Sequence, residues 1–283
     1  MLESQRFRVL SLGGGTQSSA LLLMSIRGLL PKLDAAIFAD TQWEPKEVYE
    51  TVGWLATQAG VAGIPVVQIS KGNLRQHSIG EAGHGVRCAS MPLYVVNPDG
   101  SHGRVNRQCT REYKVEPIEL WIKRTLLGLK PRQRVPADII VEKWFGMSSD
   151  EASRIRTPSE KWQEFAYPLC GIGPSGDLRL SRNFNRGATI EWLRVNYPGR
   201  TFPRSACIGC PFHSNYEWRR IKSDPETWGD AVRADNAVRH TAGIKGEAYL
   251  HRSCVPLQQA NLGNGVDDEA NLFNQECQGM CGI

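Results

Sequence analysis

A run of glycines near the amino terminus is the segment of this chain best suited to chemistry. Gly13, Gly14 and Gly15 follow an apolar run and lead into the polar stretch Thr16–Ser19, after which apolar residues resume. That order predicts a strand, a tight turn and a helix. Such a turn brings backbone N–H groups and the amino end of a helix to one point, which suits an anion, most often a phosphate.

Three kinds of phosphate-binding loop compete for this segment. A Walker loop needs a lysine after its last glycine, where Ser18 and Ser19 stand. A dinucleotide loop needs a third glycine at Ser18, although Asp40 supplies an acidic residue at the end of the next strand. The pyrophosphatase loop of adenylating enzymes, S-G-G-x-D-S, is matched by Gly14–Ser18 with Gln17 replacing the aspartate. The alternative is a purely structural role, in which the glycine turn only lets a helix pack close to a strand.

Eight cysteines are the second feature that could do chemistry. Four of them are clustered, in Cys207-Ile-Gly-Cys210 and in Cys277-Gln-Gly-Met-Cys281. Disulfides are not expected in a reducing compartment, whereas a C-x-x-C turn brings two thiolates to one metal ion or cluster. Cys277 or Cys281 could instead act as a nucleophile on a terminal tail.

Composition predicts a cytoplasmic globular protein. The chain has 283 residues, 41% of them hydrophobic and 22% charged, and no apolar run of membrane-spanning length. The first residues lack the pattern of a signal peptide. A net charge of +5 permits a nucleic-acid or nucleotide partner without requiring one.

The first half of the chain predicts an α/β fold with a doubly wound, mostly parallel sheet. The buried strand at 35–39, the helix opened by Pro45 and the strand at 65–69 follow the glycine loop in β-α-β-α-β order. Ligands of such sheets bind beyond the carboxyl ends of the strands. The loop and Asp40–Glu44 both lie at such ends, so we expect them to meet in one crevice.

Two domains are predicted. The α/β domain spans residues 1–180 and carries an irregular insertion at 71–112, which contains His77, His84 and His102. We expect a solvated, flexible insertion near the site, with a histidine metal site as the alternative. A helix at 113–127 and a strand at 139–141 follow, and Ser149 is expected to cap a helix that brings Arg154 or Arg156 to a phosphate.

The second domain, residues 181–283, is predicted to be mainly helical. Helices are expected at about 187–196, 215–222 and 226–240. Interleaved arginines and tryptophans there suit a nucleic acid or nucleotide. The alternative is that the tryptophans belong to the core and the arginines form a solvated face.

Five segments in order give the chain a family resemblance. It resembles the adenine-nucleotide α-hydrolase (PP-loop) group, in particular its branch related to phosphoadenosine phosphosulfate (PAPS) reductase. Gln42 replaces a glycine of the second motif, F-x-D-T-G-x-E-x-P, and Ser148 replaces the first arginine of G-x-R-x-x-E-S-x-R. The matching segments are Ser11–Ser18, Phe38–Pro45, Cys109–Pro117, Gly146–Arg154 and Cys207–Pro211.

The resemblance implies an ATP pyrophosphatase that adenylates a substrate for sulfur transfer, using Mg²⁺. It implies that Lys71, Arg154 or Arg156 offsets charge on the pyrophosphate, and that a cysteine or cluster carries sulfur, with Cys277 and Cys281 as candidates. The nucleotide-binding residues would be Ser11, Gly13, Gly14, Gly15, Thr16, Gln17, Ser18, Ser19, Asp40, Thr41, Gly146 and Arg156.

The resemblance also implies a [4Fe–4S] cluster on Cys109, Cys207 and Cys210. The fourth ligand is left open among Cys170, Cys254, Cys277, Cys281 and a substrate sulfur, and structural zinc is the alternative. The acceptor could be tRNA, DNA or a small molecule, and a sulfur donor or a thioredoxin-like reductant would be a partner. No membrane partner is expected, and a homo-oligomer is left open.

Two other functions remain open at this stage. One is a reductase of PAPS or adenosine phosphosulfate that uses a cysteine of the tail, since Glu276–Cys281 partly matches the reductase tail E-C-G-x-H. The other is a nucleotide-binding module without catalysis, which Gln17 favours because the usual carboxylate is missing.

Overall fold

Eight strands form two sheets in the computed structural model, which describes residues 5–80, 91–173, 183–241 and 243–263. The larger sheet is central and parallel, and the smaller sheet is antiparallel. The two sheets contain different parts of the chain. The strands are β1 (Gln5–Leu12), β2 (Ala35–Asp40), β3 (Val66–Ser70), β4 (Tyr94–Val96), β5 (His102–Arg104), β6 (Ile139–Phe145), β7 (Gln163–Ala166) and β8 (Glu247–Tyr249).

The central sheet has the order β3-β2-β1-β6-β7, and all its neighbouring strands are parallel. Every residue of β2 is buried, as expected for a strand covered on both faces. The prediction of an α/β fold with a mostly parallel sheet is confirmed. Strand order reverses at β1, which pairs with β2 on one side and β6 on the other, and ligands of open α/β sheets bind at such a switch point.

Seven α-helices accompany these strands in the described residues. The predicted helices of the second half agree with the observed ones to within two residues. The helices are α1 (Thr16–Ile26), α2 (Lys46–Val61), α3 (Leu74–Ile79), α4 (Glu116–Trp121), α5 (Arg186–Asn196), α6 (Asn215–Lys222) and α7 (Pro225–Val238). No helix in the described ranges is long and apolar enough to cross a membrane.

The helix predicted at 113–127 is longer and less regular than expected. It runs from the π-helical turn Arg111–Val115 through α4 to a second π-helical turn, Ile122–Leu126. Such wide turns are rare and are frequent at functional sites. The first of them places Lys114 in the interior, where it is 6% exposed.

The main core surrounds α1. All its residues from Thr16 to Ser25 are buried, because the helix is covered by the sheet, by α2 and by α5. Helix α5 lies beyond the predicted boundary at residue 180, yet Leu193 belongs to this same core.

The second core joins the predicted insertion to the carboxyl-terminal half. Strand β4 pairs with β5 on one side and with β8 on the other. Met91, Leu93 and Val95 are buried, and Leu93 packs in one cluster with Trp218 and Leu257. The expectation of a solvated insertion is therefore wrong for these residues, because β8, far along the chain, covers them.

Candidate functional site

The glycine loop connects β1 directly to α1. Gly14 has φ +74°, a left-handed conformation that favours glycine, and a Cβ there would lie 2.9 Å from side-chain carbons of Val48 and Val52. The hydroxyl of Ser18 accepts from the backbone N–H of Gly13 at 3.1 Å and donates to the carbonyl of Gly15 at 3.3 Å. The loop is therefore fixed by its own helix before any ligand binds.

No acidic side chain of the first turn offsets the positive charge at the amino end of α1. Its cap residue, Gly15, has no side chain to accept a hydrogen bond, and no acidic residue lies in the first turn. The first N–H groups of a helix have no acceptor within it, and the helix dipole makes that end positive. This end of α1 therefore favours an anion.

Close packing brings two other chain segments to the loop. A Cβ at Gly146, just after β6, would lie 2.6 Å from the backbone nitrogen of Ser18. A Cβ at Gly15 would lie 2.9 Å from Cβ of Ser205. Glycine is needed at both positions, because it lets the end of β6 and the segment 203–205 touch the loop.

Together these segments form a pocket of about 320 Å³, which we call the glycine-loop pocket. Its lining combines backbone N–H groups, small polar side chains and two guanidinium groups. The lining residues are Gly13, Gly15, Thr16, Gln17, Ser18, Gly146, Arg186, Arg204 and Ser205.

The two arginines are the part of this pocket that sequence reasoning missed. Neither Arg186 nor Arg204 was predicted to line the pocket, and Arg204 was expected only as one of the arginines of the second half. Burial lowers the pKa of Arg186, and the neighbouring charge of Arg204 lowers it further. Two guanidinium groups facing one pocket at the positive end of a helix make a site for a multiply charged anion. No local motif marks them, since each lies more than 160 residues from the loop.

Gln17 has a specific partner in place of the carboxylate that the loop lacks. Its side-chain amide donates to Glu151 Oε2 at 3.1 Å and to Ser148 Oγ at 3.3 Å. Burial raises the pKa of Glu151, which is 5% exposed. A carboxylate therefore stands beside the loop after all, but it comes from the segment after β6.

The short helix that carries Glu151 differs from the prediction. It is a 3₁₀-helix, Ser149–Arg154, preceded by Ser148, so Ser149 is not its cap. The hydroxyl of Ser148 bonds to Glu151 Oε2 instead of capping the helix backbone. The side chain of Arg154 forms an ion pair with Glu151.

The three cations predicted to contact phosphate do not line the glycine-loop pocket. Arg154 is paired with Glu151, and the exposed Arg156 donates to the backbone carbonyls of Ser153 and Ile155. Lys71 lies after β3 and forms an exposed ion pair with Glu116. Arg186 and Arg204 line the pocket in which Lys71, Arg154 or Arg156 were expected.

Asp40 holds the end of β2 rigid. Its carboxylate accepts from the backbone N–H of Gln42 at 2.7 Å, from the hydroxyl of Tyr49 at 2.9 Å and from the side-chain amide of Gln68 at 2.9 Å. Gln42 has φ +57°, the left-handed region that favours glycine. The motif resembled here has glycine at this position, and the backbone keeps the conformation that a glycine would take.

The remaining predicted loop residues are buried in the framework. Ser11 lies in β1 opposite Phe145, and the hydroxyl of Ser19 has no hydrogen-bond partner within the described residues. Thr41 Oγ1 lies 3.2 Å from both Glu44 Oε1 and Cys207 Sγ. Thr41 therefore belongs to a second cavity rather than to the glycine loop.

This second cavity, of about 400 Å³, contains the three predicted cysteine ligands, and we call it the cysteine cavity. Cys109, Cys207 and Cys210 all line it, together with Thr41 and Lys114. Lys114 Nζ lies 3.2 Å from Glu44 Oε1, which also accepts from Cys207 Sγ at 3.5 Å. Its other lining residues are Leu74, Met91, Pro92, Arg107, Thr110 and Pro211.

The C-x-x-C turn is fixed by the segment that follows β2. The backbone N–H of Ile208 donates to the carbonyl of Trp43 at 2.8 Å. A Cβ at Gly209 would lie 2.0 Å from the Trp43 ring, so only glycine fits between the two cysteines at that point. His213 Nε2 donates to the carbonyl of Cys207 at 2.9 Å, and burial lowers the pKa of His213 to about 4.

The other cysteines are placed differently. Cys170 Sγ donates to the carbonyl of Met147, and burial raises the pKa of this thiol to about 11. Cys254 is buried and does not line the cysteine cavity. Cys277 and Cys281, with the rest of the tail, lie outside the described residues, as does His84.

A single metal ion has no ready site in the described part of the chain. No group of three or more His, Cys, Asp or Glu side chains there surrounds a point where one ion could sit. The ligands of an iron–sulfur cluster bind separate iron atoms and need not converge on one point. Among the described residues, Cys109, Cys207 and Cys210 share the cysteine cavity without forming a site for a single ion.

One short segment links the two cavities. Ser205 lines the glycine-loop pocket and Cys207 lines the cysteine cavity, with only Ala206 between them.

Comparison with known proteins identifies no relative. No protein family, no curated protein and no solved structure matches this chain.

Proposed function

We propose that this chain is an ATP pyrophosphatase of the PP-loop type, which transfers the adenylyl group of ATP to an acceptor and then replaces the activated oxygen by sulfur. The observation that supports this most is the short segment Ser205–Cys207, in which Ser205 lines the glycine-loop pocket and Cys207 lines the cysteine cavity. A phosphate site alone is compatible with many reactions. A phosphate site next to a wall of thiols favours activation followed by sulfur chemistry.

The glycine-loop pocket would bind the phosphates that leave. In adenylyl transfer the acceptor oxygen attacks the α-phosphorus, the bond from that phosphorus to the bridging oxygen breaks, and pyrophosphate leaves with the negative charge. The amino end of α1, Arg186 and Arg204 line the pocket and would stabilise that growing charge. Mg²⁺ would add charge neutralisation when bound, and Glu151, which accepts from Gln17 and pairs with Arg154, is a carboxylate beside the loop.

The cysteine cavity would present sulfide from a separate sulfur donor, and this sulfide would displace the acceptor's activated oxygen, which leaves as part of AMP. Cys109, Cys207 and Cys210 would hold a [4Fe–4S] cluster there, which when bound supplies an iron site for sulfur. Glu44 and Lys114 form a buried ion pair at the cavity and would fix the position of Cys207. The mainly apolar side chains around it, such as Leu74 and Met91, would keep water from the activated intermediate.

Incubation of the purified chain with ATP and Mg²⁺ tests the proposal, and AMP with pyrophosphate is the expected product pair, because water replaces the missing acceptor in this assay. Replacing Arg186 by Gln removes one cation from the pocket. Because a charged hydrogen bond contributes about 1.5–3 kcal/mol, the rate should fall by roughly 10- to 100-fold. Arg194→Gln is the matched control, since Arg194 lies on the same helix, is 71% exposed and pairs with Glu191.

Other outcomes would favour the alternatives. Release of sulfite from PAPS in the presence of thioredoxin, without AMP from ATP, would identify a sulfonucleotide reductase instead. Binding of ATP without turnover in either assay would identify a nucleotide-binding module. Equal rates for Arg186→Gln and Arg194→Gln would show that the glycine-loop pocket takes no part in the reaction.

A further inference from the structure

A groove with unneutralised positive charge lies at the opposite edge of the sheet. It has a volume of about 1150 Å³ and is lined by residues just before β6 and just before β7, including Ile139 and Trp162. Gly146 lies at the carboxyl end of β6, and the glycine loop lies at the carboxyl end of β1, which pairs with β6 in parallel. Seven residues of β6 span roughly 20 Å between the two edges, so the groove is separate from the glycine-loop pocket.

The cations of this groove come from two parts of the chain. Residues 122–137 contain five lysines and arginines and no acidic residue. Lys123 and Arg134 line one side of the groove and Lys161 lines the other, with Glu160 as the acidic residue among the lining side chains. The fold therefore brings cations from two separate parts of the chain to the groove.

Four cations in and beside the groove form no ion pair with another described residue. They are the exposed Arg134 and Lys161, which line it, and the exposed Lys130 and Arg132, which lie in the adjoining turn. Several other exposed cations do pair with a neighbouring carboxylate, as in Lys46–Glu50, Arg194–Glu191 and Arg233–Asp230. A patch left without carboxylates attracts an external anion.

The turn beside the groove has a fixed backbone. The turn before β6 is closed by the N–H of Gln133 donating to the carbonyl of Lys130 at 3.0 Å, and by the N–H of Lys130 donating to Gln133 Oε1 at 2.9 Å. Arg132 sits in this turn with φ +66°, the left-handed region. Lys123 Nζ lies 5.2 Å from the centre of the Trp162 ring on the groove wall.

We propose that this groove binds the phosphate backbone of a nucleic acid. A strand of phosphates fits a concave surface whose cations stand on both sides. An anionic membrane instead favours an amphipathic surface whose apolar side chains insert, and here the tryptophan is buried in the groove wall. The inference does not depend on the function proposed for the glycine loop, because binding requires no nucleotide.

Fluorescence anisotropy with a labelled 20-nucleotide single-stranded RNA, and with DNA of the same sequence, tests the proposal on the full chain without ATP. The variant is Arg132→Gln/Arg134→Gln/Lys161→Gln. The matched control, Lys46→Gln/Arg194→Gln/Arg233→Gln, removes the same number of exposed positive charges from the paired positions. Circular dichroism of both variants confirms that they are folded.

Loss of three phosphate contacts should weaken binding by about a hundredfold at roughly 50 mM salt, and should lower the slope of log affinity against log salt by about 2. The control should bind within about threefold of the wild type, since its cations already have acidic partners. Undetectable binding by the wild type would overturn the proposal, as would equal weakening in both variants. Binding to vesicles of anionic lipid that is lost only in the groove variant, with no nucleic-acid binding, would assign the groove to a membrane instead.

Discussion

The glycine-loop pocket and the cysteine cavity lie on either side of one short segment but are built in opposite ways. The glycine-loop pocket is mostly backbone and glycine, and its shape depends on the absence of side chains at Gly14, Gly15 and Gly146. The cysteine cavity depends on side chains, with a buried ion pair and a buried histidine behind its thiols. A pocket of the first kind is sensitive to added volume, and a cavity of the second kind is sensitive to charge.

The largest expected effect is therefore on charge at the cysteine cavity. In Lys114→Met, the carboxylate of Glu44 stays buried without its cation, and we expect the free energy of unfolding to fall by about 3–5 kcal/mol. Lys71→Met breaks an ion pair whose side chains are 43% and 46% exposed, and should cost at most about 1 kcal/mol. Urea unfolding at neutral pH measures both.

A double variant checks the cause. Glu44→Gln/Lys114→Met removes both charges and should recover most of the lost stability. If it is as unstable as Lys114→Met, packing rather than charge explains the loss.

The next effect is a dependence of stability on pH caused by His213. The folded-state pKa of about 4 lies below the ordinary 6.5, because burial disfavours the charged ring. Above pH 6.5 the histidine is neutral in both states and costs nothing, and as the pH falls from 6.5 to about 4 only the unfolded state takes up the proton. The free energy of unfolding should thus fall by about 2 kcal/mol between pH 6.5 and 5, and about 3 kcal/mol in all. Urea unfolding of His213→Gln across this range should show a correspondingly shallower slope.

At the glycine-loop pocket the expected effect comes from volume. The new methyl group in Gly146→Ala would lie 2.6 Å from the backbone nitrogen of Ser18, which cannot move without opening the loop. We expect a loss of about 1–3 kcal/mol in stability and a weaker affinity for a fluorescent ATP analogue. Gly53→Ala is the control, since nothing lies within 4 Å of its Cβ, and helix propensity should raise its stability by about 0.5–1 kcal/mol. Equal ATP affinity in the two variants would contradict the role of Gly146.

The smallest effect is predicted at Gln17. Gln17→Asp restores the residue of the pyrophosphatase pattern but places a second carboxylate beside Glu151, so we expect stability to fall by about 1 kcal/mol or more. In the exchange Gln17→Asp/Glu151→Gln, an amide again faces a carboxylate, and thermal unfolding should recover. An increase in stability for Gln17→Asp alone would show that Glu151 is not matched to Gln17.

The parts that could be predicted from the sequence are those made by neighbours in the chain. The glycine loop, the order of strands and helices around it and the helices of the second half all follow from local periodicity and turn residues. The proximity of Cys109 to the C-x-x-C pair was implied by the family resemblance, and the cysteine cavity is consistent with it.

The errors came from contacts between distant segments. The stretch after residue 90 was expected to be solvated, but β8 pairs with it about 150 residues later. Arg154, Arg156 and Lys71 were expected at the pocket, yet none of them lines it, and Arg154 pairs instead with Glu151 beside the loop. The position of a residue after a strand determines at which edge of the sheet it lies, but it does not determine the direction of a long side chain.

By itself, the sequence determined that a glycine turn and the amino end of a helix follow the first strand of a parallel sheet, because glycine conformation and helix polarity are local properties. Only the tertiary structure decided which charges surround that turn. Arg186 and Arg204 approach it from the second half of the chain, and Glu151 meets Gln17 from the segment after β6. These contacts depend on packing across the sheet, which no spacing along the chain encodes.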